Sequence, residues 1–414
     1  MTKIWMRTLG MVAALTLTAV STHAAALFAP LDEGSSAKLS ATDPAYRALA
    51  EDPAIGSLRL VAANPGALSA KASRVTLNLG PGQSYTAQLV DSYTTAGALL
   101  VWSGVILDPG ARSPRLATVD GLQFDPTNTV MLIRNGHRIT GNVHFDGEWY
   151  QIRPLAGGGH AIATVDSRRM PPDHPAESAS LPSYAMPAAS ALDKANTVIT
   201  VMVNYTAAAK AAVADIAGLI TLAVAESNQG YANSGVTITL QLVNTAQVSY
   251  TESGDFMIDL SRYRGTADGF MDSIHTTRNT VKADVGVLII NNPAYCGLAS
   301  GIGSTAASAF ATVHYSCATG YYSFAHEIGH LQSARHDPAN DPSTSPYTYG
   351  HGYQYTGSPK WRTIMAYDCT GGCPRLKYWS NPSVLYGGKP MGTTAKSNNA
   401  KVLNATRATV AAFR

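Results

Sequence analysis

The sequence predicts an α/β fold in the second half of the chain, with a largely parallel sheet under helices, and a mostly antiparallel β domain in the first half. The α/β prediction rests on alternation: apolar, strand-like runs at 197–203, 236–242 and 283–290 are separated by segments with a helical spacing of apolar residues. The β prediction rests on short apolar runs that are bounded by turn residues. A segment rich in Pro, Ser and Ala, 171–190, separates the two halves, and we expect an exposed linker there.

Residues 1–26 have the pattern of an export signal peptide. Lys3 and Arg7 give a positive start, 9–20 is an apolar core too short to span a bilayer, and small residues follow up to Ala26. An uncleaved membrane anchor is the alternative, and the length of the apolar core argues against it. We therefore expect a secreted protein, extracellular or in transit through the periplasm, without stable membrane association.

The composition excludes one class of partner. Charged residues make up 14% of the 414 residues, and the formal net charge is +3. A nucleic-acid-binding protein needs a basic patch, and the sequence has no cluster of Lys and Arg, so we expect no nucleic acid as a partner. The length is ample for one or two domains with sizeable cores, and we expect a monomer.

The first domain, 27–190, contains no cysteine and reads as a series of strands. Asn135-Gly136 between two apolar runs is a strong signal for a two-residue hairpin turn. The strand-like runs are 74–79, 85–90, 98–107, 130–133 and 145–152.

The second domain, 191–414, has helical segments between its strands. Apolar residues recur at helical spacing between 207 and 229, which predicts a long helix after the first strand. We expect a further helix around 266–278. A last helix is predicted at 398–413, where apolar residues form one stripe.

The most informative motif is H-E-x-x-H, formed by His326, Glu327 and His330. Histidines four residues apart project from one face of a helix, where their imidazoles can bind one metal ion. Glu327 can then accept a proton from a water molecule at the open position of that ion. His336 completes a set of three imidazoles if the chain turns back after roughly residue 332, and three histidines plus water are typical of a catalytic zinc site.

The motif, together with Thr363-Ile364-Met365-Ala366-Tyr367 downstream, resembles the metzincin zinc endopeptidases, in which an extended histidine motif is followed by a Met-turn. The sequence around the histidines, with Asp337 after the third one, looks most like that of the reprolysin branch. Ser333 departs from the family, which usually has glycine where the helix ends in a left-handed turn. The serine variant resembles the secreted bacterial peptidyl-Asp metalloendopeptidases of the Asp-N type.

The resemblance implies the architecture of residues 191–414. We expect a metzincin catalytic domain with a mixed, mostly parallel, twisted sheet and a zinc helix at about 321–333. In metzincins the strand before this helix, here 309–315, is the antiparallel edge strand on which an extended peptide substrate adds.

The resemblance also implies roles for the site residues. His326, His330 and His336 are expected to bind one catalytic Zn²⁺ ion, with Glu327 as the catalytic base. Asp337 is expected to fix the chain by hydrogen bonding. Met365 of the Met-turn should pack beneath the ion. Tyr367 resembles the tyrosine of the astacin and serralysin branches, and we expect it to stabilise the oxyanion of the transition state.

Cleavage before aspartate needs a cation in the pocket for the residue after the scissile bond. The resemblance places the pocket wall after the Met-turn, where Arg375 and Lys377 lie, and Lys360 and Arg362 precede the turn. A bidentate arginine suits a carboxylate best, which favours Arg375. Arg335 is a poorer candidate. The alternative is that these residues are solvated surface charges.

The first domain resembles a reprolysin-type propeptide at 150–155 and 160–162, so we expect it to inhibit the enzyme until it is cleaved. A retained accessory or substrate-binding domain is the alternative. Because no cysteine precedes Cys296, a propeptide thiol cannot bind the zinc ion. If latency needs a ligand, Asp166, Asp173 or His174 must supply it, and simple steric cover is the other possibility.

Four cysteines allow three disulfide pairings. We favour Cys296–Cys317, and Cys369–Cys373 around a Gly-Gly loop. A four-cysteine zinc site is the competing interpretation, but only one pair is close in sequence, and an oxidising compartment favours disulfides.

The predicted function is thus a secreted, zinc-dependent endopeptidase, a hydrolase made as a zymogen, that acts on proteins or peptides and prefers to cut before aspartate. A metzincin protease of broad specificity is one alternative. A secreted zinc-binding adhesin or toxin-like module without catalysis is the other, and the intact Glu327 argues against it.

Overall fold

The structure is a computed structural model that describes residues 26–107, 117–119, 122–124, 127–174, 182–184, 186 and 195–414. The predicted signal peptide lies outside these ranges except for Ala26. So does most of the predicted linker, 171–190.

A nine-stranded sheet, antiparallel throughout, forms the first domain, as the turn-bounded runs predict. Its spatial order is β1-β2-β11-β10-β9-β8-β5-β4-β3. A separate short hairpin comprises β6 (Ala117–Val119) and β7 (Leu122–Phe124). The nine strands are β1 Phe28–Pro30, β2 Ile55–Ala63, β3 Arg74–Gly80, β4 Gln83–Thr94, β5 Leu100–Leu107, β8 Thr129–Asn135, β9 Arg138–Phe145, β10 Glu148–Pro154 and β11 His160–Val165.

The alternation of side chains decides which face of this sheet is covered. In β3, Val75 and Leu77 are fully buried, whereas Thr76 between them is half-buried. Successive side chains of a strand point to opposite faces, so the apolar residues of each strand meet in one core. The backbone amide of Leu27, just before β1, donates to the carbonyl oxygen of Thr76 in β3 at 2.8 Å. The two strands at opposite ends of the spatial order therefore lie close together.

Two helices in this domain were not predicted: α1 (Glu33–Thr42) and α2 (Pro44–Glu51). The carboxylate of Asp32 accepts from the amide of Ser35, and Asp43 accepts from the second and third amides of α2, after Pro44 at its first position. Aspartate at the N-cap and proline at the first helical position are start signals that the sequence carries.

The hairpin at β8 and β9 lies one residue from its predicted position. Asn135 pairs with Arg138, so the turn residues are Gly136 and His137. The predicted Asn135-Gly136 turn is therefore wrong by one register step, although Gly136 does adopt a positive φ of 61°.

A five-stranded sheet of order β13-β12-β14-β16-β15 forms the second domain. Its first four strands are parallel, as the alternation of strands and helices predicts, and β15 is antiparallel to β16. The predicted antiparallel edge strand, 309–315, is wrong: β16 is parallel and internal, and β15 is the edge. The strands are β12 Thr197–Tyr205, β13 Ile238–Gln247, β14 Val285–Ile290, β15 Gly297–Ala299 and β16 Phe310–His314.

Six helices lie in the described part of this domain, 195–414. The predicted helix at 207–229 is two helices, because Asp215 caps the second one by accepting from the amide of Gly218. The helix expected around 266–278 begins later, and α5 before it was not predicted. The helices are α3 Ala207–Ala212, α4 Ile216–Asn233, α5 Phe256–Arg264, α6 Ser273–Val281, α7 Ser323–Leu331 and α8 Asn399–Val410.

Helices cover both faces of the five-stranded sheet. Ile199 and Val201 of β12 belong to the core shared with α4, α7 and α8, and Met202, the residue after Val201, belongs to the core shared with α5 and α6. Strands that are buried on both faces read as continuous apolar runs, which is the pattern seen in the sequence.

Two further hairpins follow α7: β17 (Gln354–Tyr355) with β18 (Trp361–Arg362), and β19 (Asn381–Tyr386) with β20 (Lys389–Met391). Among the described residues, no helix combines the length and apolar character needed to cross a bilayer.

The four cysteines form the two favoured disulfides, Cys296–Cys317 and Cys369–Cys373. The first joins the start of β15 to the loop that leads into α7, so the edge strand is tied to the base of the helix that carries the site. The competing four-cysteine zinc site is therefore wrong.

Candidate metal centre and active site

Helix α7 carries the H-E-x-x-H motif and ends in a left-handed turn that lacks glycine. Ser333 has a φ of +72°, and the amide of Ala334 donates to the carbonyl oxygen of Gly329 at 2.9 Å. This 6→1 bond is the mark of a Schellman motif, which reverses the chain after a helix. The turn brings His336 back to the face of α7 from which His326 projects.

Four imidazoles, not three, converge at this point. Nε2 of His336 lies 3.1 Å from Nε2 of His326 and 3.0 Å from that of His330. Nε2 of His174, from the start of the predicted linker, lies 3.1 Å from the same two atoms. All four side chains are buried.

The rings of His326 and His330 are oriented by contacts on their other nitrogen. Nδ1 of His326 lies 3.0 Å from the carbonyl oxygen of Ile364, and Nδ1 of His330 lies 2.9 Å from that of Ala334. Donation from Nδ1 to a carbonyl leaves the lone pair of Nε2 free to bind a metal. Burial lowers the pKa of His326, His330 and His336 well below the usual value, which favours the neutral, ligating form.

This donor set fits a metal ion. A tetrahedral ion with zinc–nitrogen bonds of about 2.0–2.1 Å holds its donor atoms about 3.3 Å apart, close to the 3.0–3.1 Å that separates Nε2 of His174 and of His336 from Nε2 of His326 and of His330. Four neutral imidazole nitrogens facing one point without a proton between them would otherwise repel one another through their lone pairs. We conclude that the cluster is a metal site built of imidazole donors.

Glu327 lies beside this cluster. Its Oε1 is 3.7 Å from Nε2 of His174, and within the described part of the chain its Oε2 has no hydrogen-bond partner. A β-carbon on Gly297 of the edge strand would lie only 2.3 Å from Oε1, so glycine is needed there for the carboxylate to approach. Burial raises the pKa of Glu327 well above its usual range, and the nearby carboxylate of Asp173 raises it further.

The Met-turn supports α7 from below. Met365 is fully buried, and its Sδ lies 3.1 Å from the place where a β-carbon on Gly329 of α7 would stand. Ile364 supplies the carbonyl oxygen that orients His326. The carboxylate of Asp337 accepts from the amide of Tyr367 at 2.9 Å and from the side chain of Asn340, so it joins the third histidine segment to the Met-turn.

Tyr367 faces the histidine cluster. Its ring centroid is 4.3 Å from that of His336 and 6.5 Å from that of His174. Burial raises the pKa of its phenol above the usual value, with the carboxylates of Asp173 and Glu327 adding to the effect, so the hydroxyl is a proton donor at neutral pH.

Arg375 is buried next to the cluster and binds a carboxylate. Its Nη2 donates to Oδ2 of Asp173, and Nη1 donates to the carbonyl oxygen of Tyr321 at 3.1 Å. Nη1 of Arg362 lies 4.0 Å from the same carboxylate oxygen. Burial alone raises the pKa of Asp173, but the positive charges around it, that of Arg375 first, together outweigh burial, and the pKa lies below its usual value.

The other candidate cations lie elsewhere. Lys377 is buried over the ring of Tyr322, 5.8 Å from its centroid. Its positive charge there lowers the pKa of Glu226, against the larger effect of burial, which raises it. In the described structure Lys377 forms no ion pair or hydrogen bond with Asp173. Lys360 is exposed and donates to the carbonyl oxygen of Thr370. Arg335 is paired with Asp341.

The predicted exposed linker is wrong at its start, because Asp173 and His174 are buried in the site. Their side chains are 6% and 0% exposed. The amides of Cys296 and Gly297 donate to the carbonyl oxygens of Pro172 and Asp173 at 2.8 and 3.2 Å, so the segment pairs with the beginning of the edge strand. Asp166, the third residue considered for latency, instead caps a short turn and pairs with Arg168.

In the sequence, His174 was one of three candidates for a ligand that keeps the enzyme latent. The signal for it was local: it lies in Pro171-Pro172-Asp173-His174-Pro175, where the residue before a proline is held extended and cannot join a helix. Such a strand-like segment can pair with a sheet edge, but the sequence does not say which edge.

Comparisons with known proteins agree with this geometry. Residues 195–380 match the family described as Reprolysin_5, metallo-peptidase family M12. The chain is 50% identical over 414 residues to a peptidyl-Asp metalloendopeptidase of Stenotrophomonas maltophilia (strain R551-3), covering 98% of this chain and 97% of the relative.

Two further relatives carry the same description. One from Xanthomonas campestris pv. campestris is 49% identical over 387 residues, covering 92% of this chain and 91% of the relative. One from Pseudomonas fragi is 52% identical over 189 residues, covering 46% of this chain and 100% of the relative.

Proposed function

The chain belongs to the peptidyl-Asp metalloendopeptidases of the M12 metallopeptidases, and from this premise we propose that it is a secreted zinc endopeptidase that cuts peptide bonds on the amino side of aspartate. The observation that carries the proposal is the carboxylate of Asp173 bound by buried Arg375 beside the histidine cluster.

Zinc is the metal that we propose for the site. His326, His330 and His336 supply three neutral imidazole nitrogens, which suit zinc, and an H-E-x-x-H helix is typical of zinc proteases. When bound, zinc supplies Lewis-acid chemistry, polarising the scissile carbonyl and acidifying water in its coordination sphere. His174 is assigned a different role below.

Glu327 is the proposed general base. Its carboxylate lies next to the metal site, has an oxygen without a partner among the described groups, and is shielded from solvent. It can accept the proton of the attacking water and then deliver that proton to the leaving amine. Its raised pKa makes the carboxylate a stronger base, which favours the first transfer, from the water.

Tyr367 is the proposed donor to the oxyanion. Its ring lies against His336, and its phenol stays protonated at neutral pH. A hydroxyl that is already aimed at developing charge in a site that excludes water stabilises the transition state without reorganisation.

Arg375 is the proposed specificity residue for the aspartate after the scissile bond. A guanidinium binds a carboxylate through two donors in a fixed plane, and this one is held by the carbonyl oxygens of Tyr321 and Ala366 and by the Tyr321 ring, 4.2 Å from the guanidinium carbon. A neutral side chain in this pocket leaves a buried charge without a partner, so the pocket discriminates against it. Lys377 is not assigned to the pocket, because its positive charge stabilises the charged form of Glu226.

We also propose that residues 27–190 are a propeptide and 191–414 the catalytic domain, with residues 1–26 as the signal peptide. The two disulfides support passage through an oxidising compartment.

Mapping cleavage sites on a denatured protein tests the proposal. The processed enzyme from the full-length chain should cut before aspartate, and both a chelator and the Glu327→Ala substitution should abolish the cuts. Scattered cuts would favour the broad-specificity protease, and no cuts from a protein that binds stoichiometric zinc would favour the binding module.

A further inference from the structure

We propose that Pro172–His174, which we call the latch, keeps the uncut chain inactive by filling two subsites at once: Asp173 takes the place of the substrate aspartate on Arg375, and His174 completes the metal coordination. This inference rests on the proposed function and deepens it, since it names the regulation of the same site.

His174 closes the metal site. Its Nε2 is about as close to those of His326 and His330 as Nε2 of His336 is, so His174 is placed as a metal ligand in the same way as His336. A catalytic zinc site keeps a position open for water or substrate, and a fourth protein nitrogen removes that position. Nε2 of His174 also lies 3.7 Å from Oε1 of Glu327, in the space where the base would meet the attacking water.

Asp173 imitates the preferred substrate residue. It is the only carboxylate among the described residues that Arg375 contacts, and its side chain is buried in the pocket to 6% exposure. The carbonyl oxygens of Pro172 and Asp173 accept from the amides of Cys296 and Gly297, so the latch also uses the backbone groups at the start of the edge strand. An extended peptide substrate needs the same groups.

The latch escapes cleavage because its order is reversed. A substrate that is cut before aspartate passes the metal with its scissile bond and then reaches Arg375 with its aspartate. In the latch the chain reaches Arg375 first, with Asp173, and the metal afterwards, with His174. An imidazole therefore stands where a scissile carbonyl would be, and the Pro172–Asp173 bond lies on the other side of Asp173.

The folded first domain holds the latch in place. Arg153 of β10 donates to the hydroxyl of Thr319 at 3.0 Å, and Asn142 of β9 donates to buried Glu226 at 2.8 Å. Trp149 stacks on Tyr321, the residue whose carbonyl oxygen holds Arg375. Attachment raises the effective concentration of the latch at the site, and cleavage of the chain removes this advantage.

The experiment reads the metal site directly, without activity. The full chain with Glu327→Gln, which prevents self-cleavage, is loaded with Co²⁺, and azide is titrated while the visible absorption is recorded. Azide should leave the spectrum of this parent unchanged at millimolar concentration. Adding His174→Ala should produce an azide-dependent shift, and Asp166→Ala, in the same segment but outside the site, should behave as the parent.

Asp173→Asn provides a second variant that keeps all four imidazoles. It should admit azide at a higher concentration than His174→Ala requires, because the latch has lost its ion pair with Arg375 but keeps its metal bond and its backbone hydrogen bonds. In chains with intact Glu327, both latch variants should convert to the processed form at least tenfold faster than Asp166→Ala. Near-ultraviolet circular dichroism checks that each variant is folded.

An azide response in the parent equal to that of folded His174→Ala would overturn the latch, and so would an unresponsive folded His174→Ala chain. The outcome is separate from the proposed function. If His174→Ala makes the Glu327→Gln chain respond to azide, and the processed enzyme with intact Glu327 cuts at sites other than aspartate, then the closure of the metal site by His174 stands and the aspartate preference is refuted.

Discussion

Replacing Arg375 with alanine should remove the preference for aspartate while leaving the catalytic groups in place. In the structure this guanidinium and the carboxylate of Asp173 form a buried pair, with side-chain exposures of 2% and 6%. Removing one partner of a buried, hydrogen-bonded charge pair costs about 2–5 kcal/mol. If a substrate aspartate is bound in the same way, this cost lowers kcat/KM by roughly 30- to 5,000-fold, at about 1.4 kcal/mol for each factor of ten.

The lower part of that range is expected, because Arg362 remains 4.0 Å from the carboxylate oxygen and supplies part of the lost charge. The assay compares two peptides that differ only by Asp or Asn after the scissile bond. The variant should lose about 100-fold on the Asp peptide and little on the Asn peptide, since the neutral amide never had the ion pair. The ratio of the two kcat/KM values therefore falls towards one.

Lys360→Ala is the matched control, since it removes an exposed cation from the other side of the Met-turn. It should keep the wild-type ratio. Arg375 also bonds the carbonyl oxygens of Tyr321 and Ala366, so a general loosening of the pocket would lower both peptides together. An unchanged Asp-to-Asn ratio in a folded Arg375→Ala enzyme would refute the pocket assignment.

Three further outcomes follow from the structure. Tyr367→Phe should lower kcat about 100- to 1,000-fold, with zinc content by atomic absorption unchanged; wild-type turnover would remove the tyrosine from the mechanism. Ser333→Gly should stabilise the uncut chain by about 0.5–1 kcal/mol in urea unfolding, because φ is +72° and its buried hydroxyl lacks a partner among the described groups; a lower midpoint contradicts this. His160 is buried and accepts from the amide of Ile139, and burial lowers its pKa from 6.5 to about 4. Above pH 6.5 this histidine is neutral in both the folded and the unfolded chain and does not affect stability. Between pH 6.5 and 4 only the unfolded chain binds the proton, so the free energy of unfolding falls by up to about 3 kcal/mol. His160→Gln should remove this pH-dependent loss, and a loss that persists in the variant would exclude His160 as its source.

Much of the site was predictable because it is local. His326, Glu327 and His330 share one helix, and the helical repeat alone places the two histidines on one face with Glu327 beside them. The turn that returns His336 was predictable from the short span between the histidines, and the structure makes it with Ser333 in the left-handed region that the family resemblance implied. The Met-turn was predictable from a known sequence motif, and the two disulfides join cysteines that are close in the sequence.

Strand identity was harder to predict, because it depends on pairing. The run at 309–315 has the composition of a strand, and it is one, but composition does not say whether a strand lies inside the sheet or at its edge. The edge is β15, three residues long, which carries too few side chains to show a period. In the same way, the break between α3 and α4 depends on one capping aspartate inside an apolar pattern that continues across it.

By itself, the sequence determined the chemistry of this protein: two imidazoles and a carboxylate on one helix, a third imidazole shortly after it, a Met-turn, and a domain of alternating strands and helices. Only the tertiary structure decided which residues occupy the metal site and the Arg375 pocket in the uncut chain. His174 is 152 residues from His326 along the chain, and Asp173 is 202 residues from Arg375. No periodicity extends over such distances, because the contacts form only when the two folded domains dock and β15 offers its free edge to the segment between them.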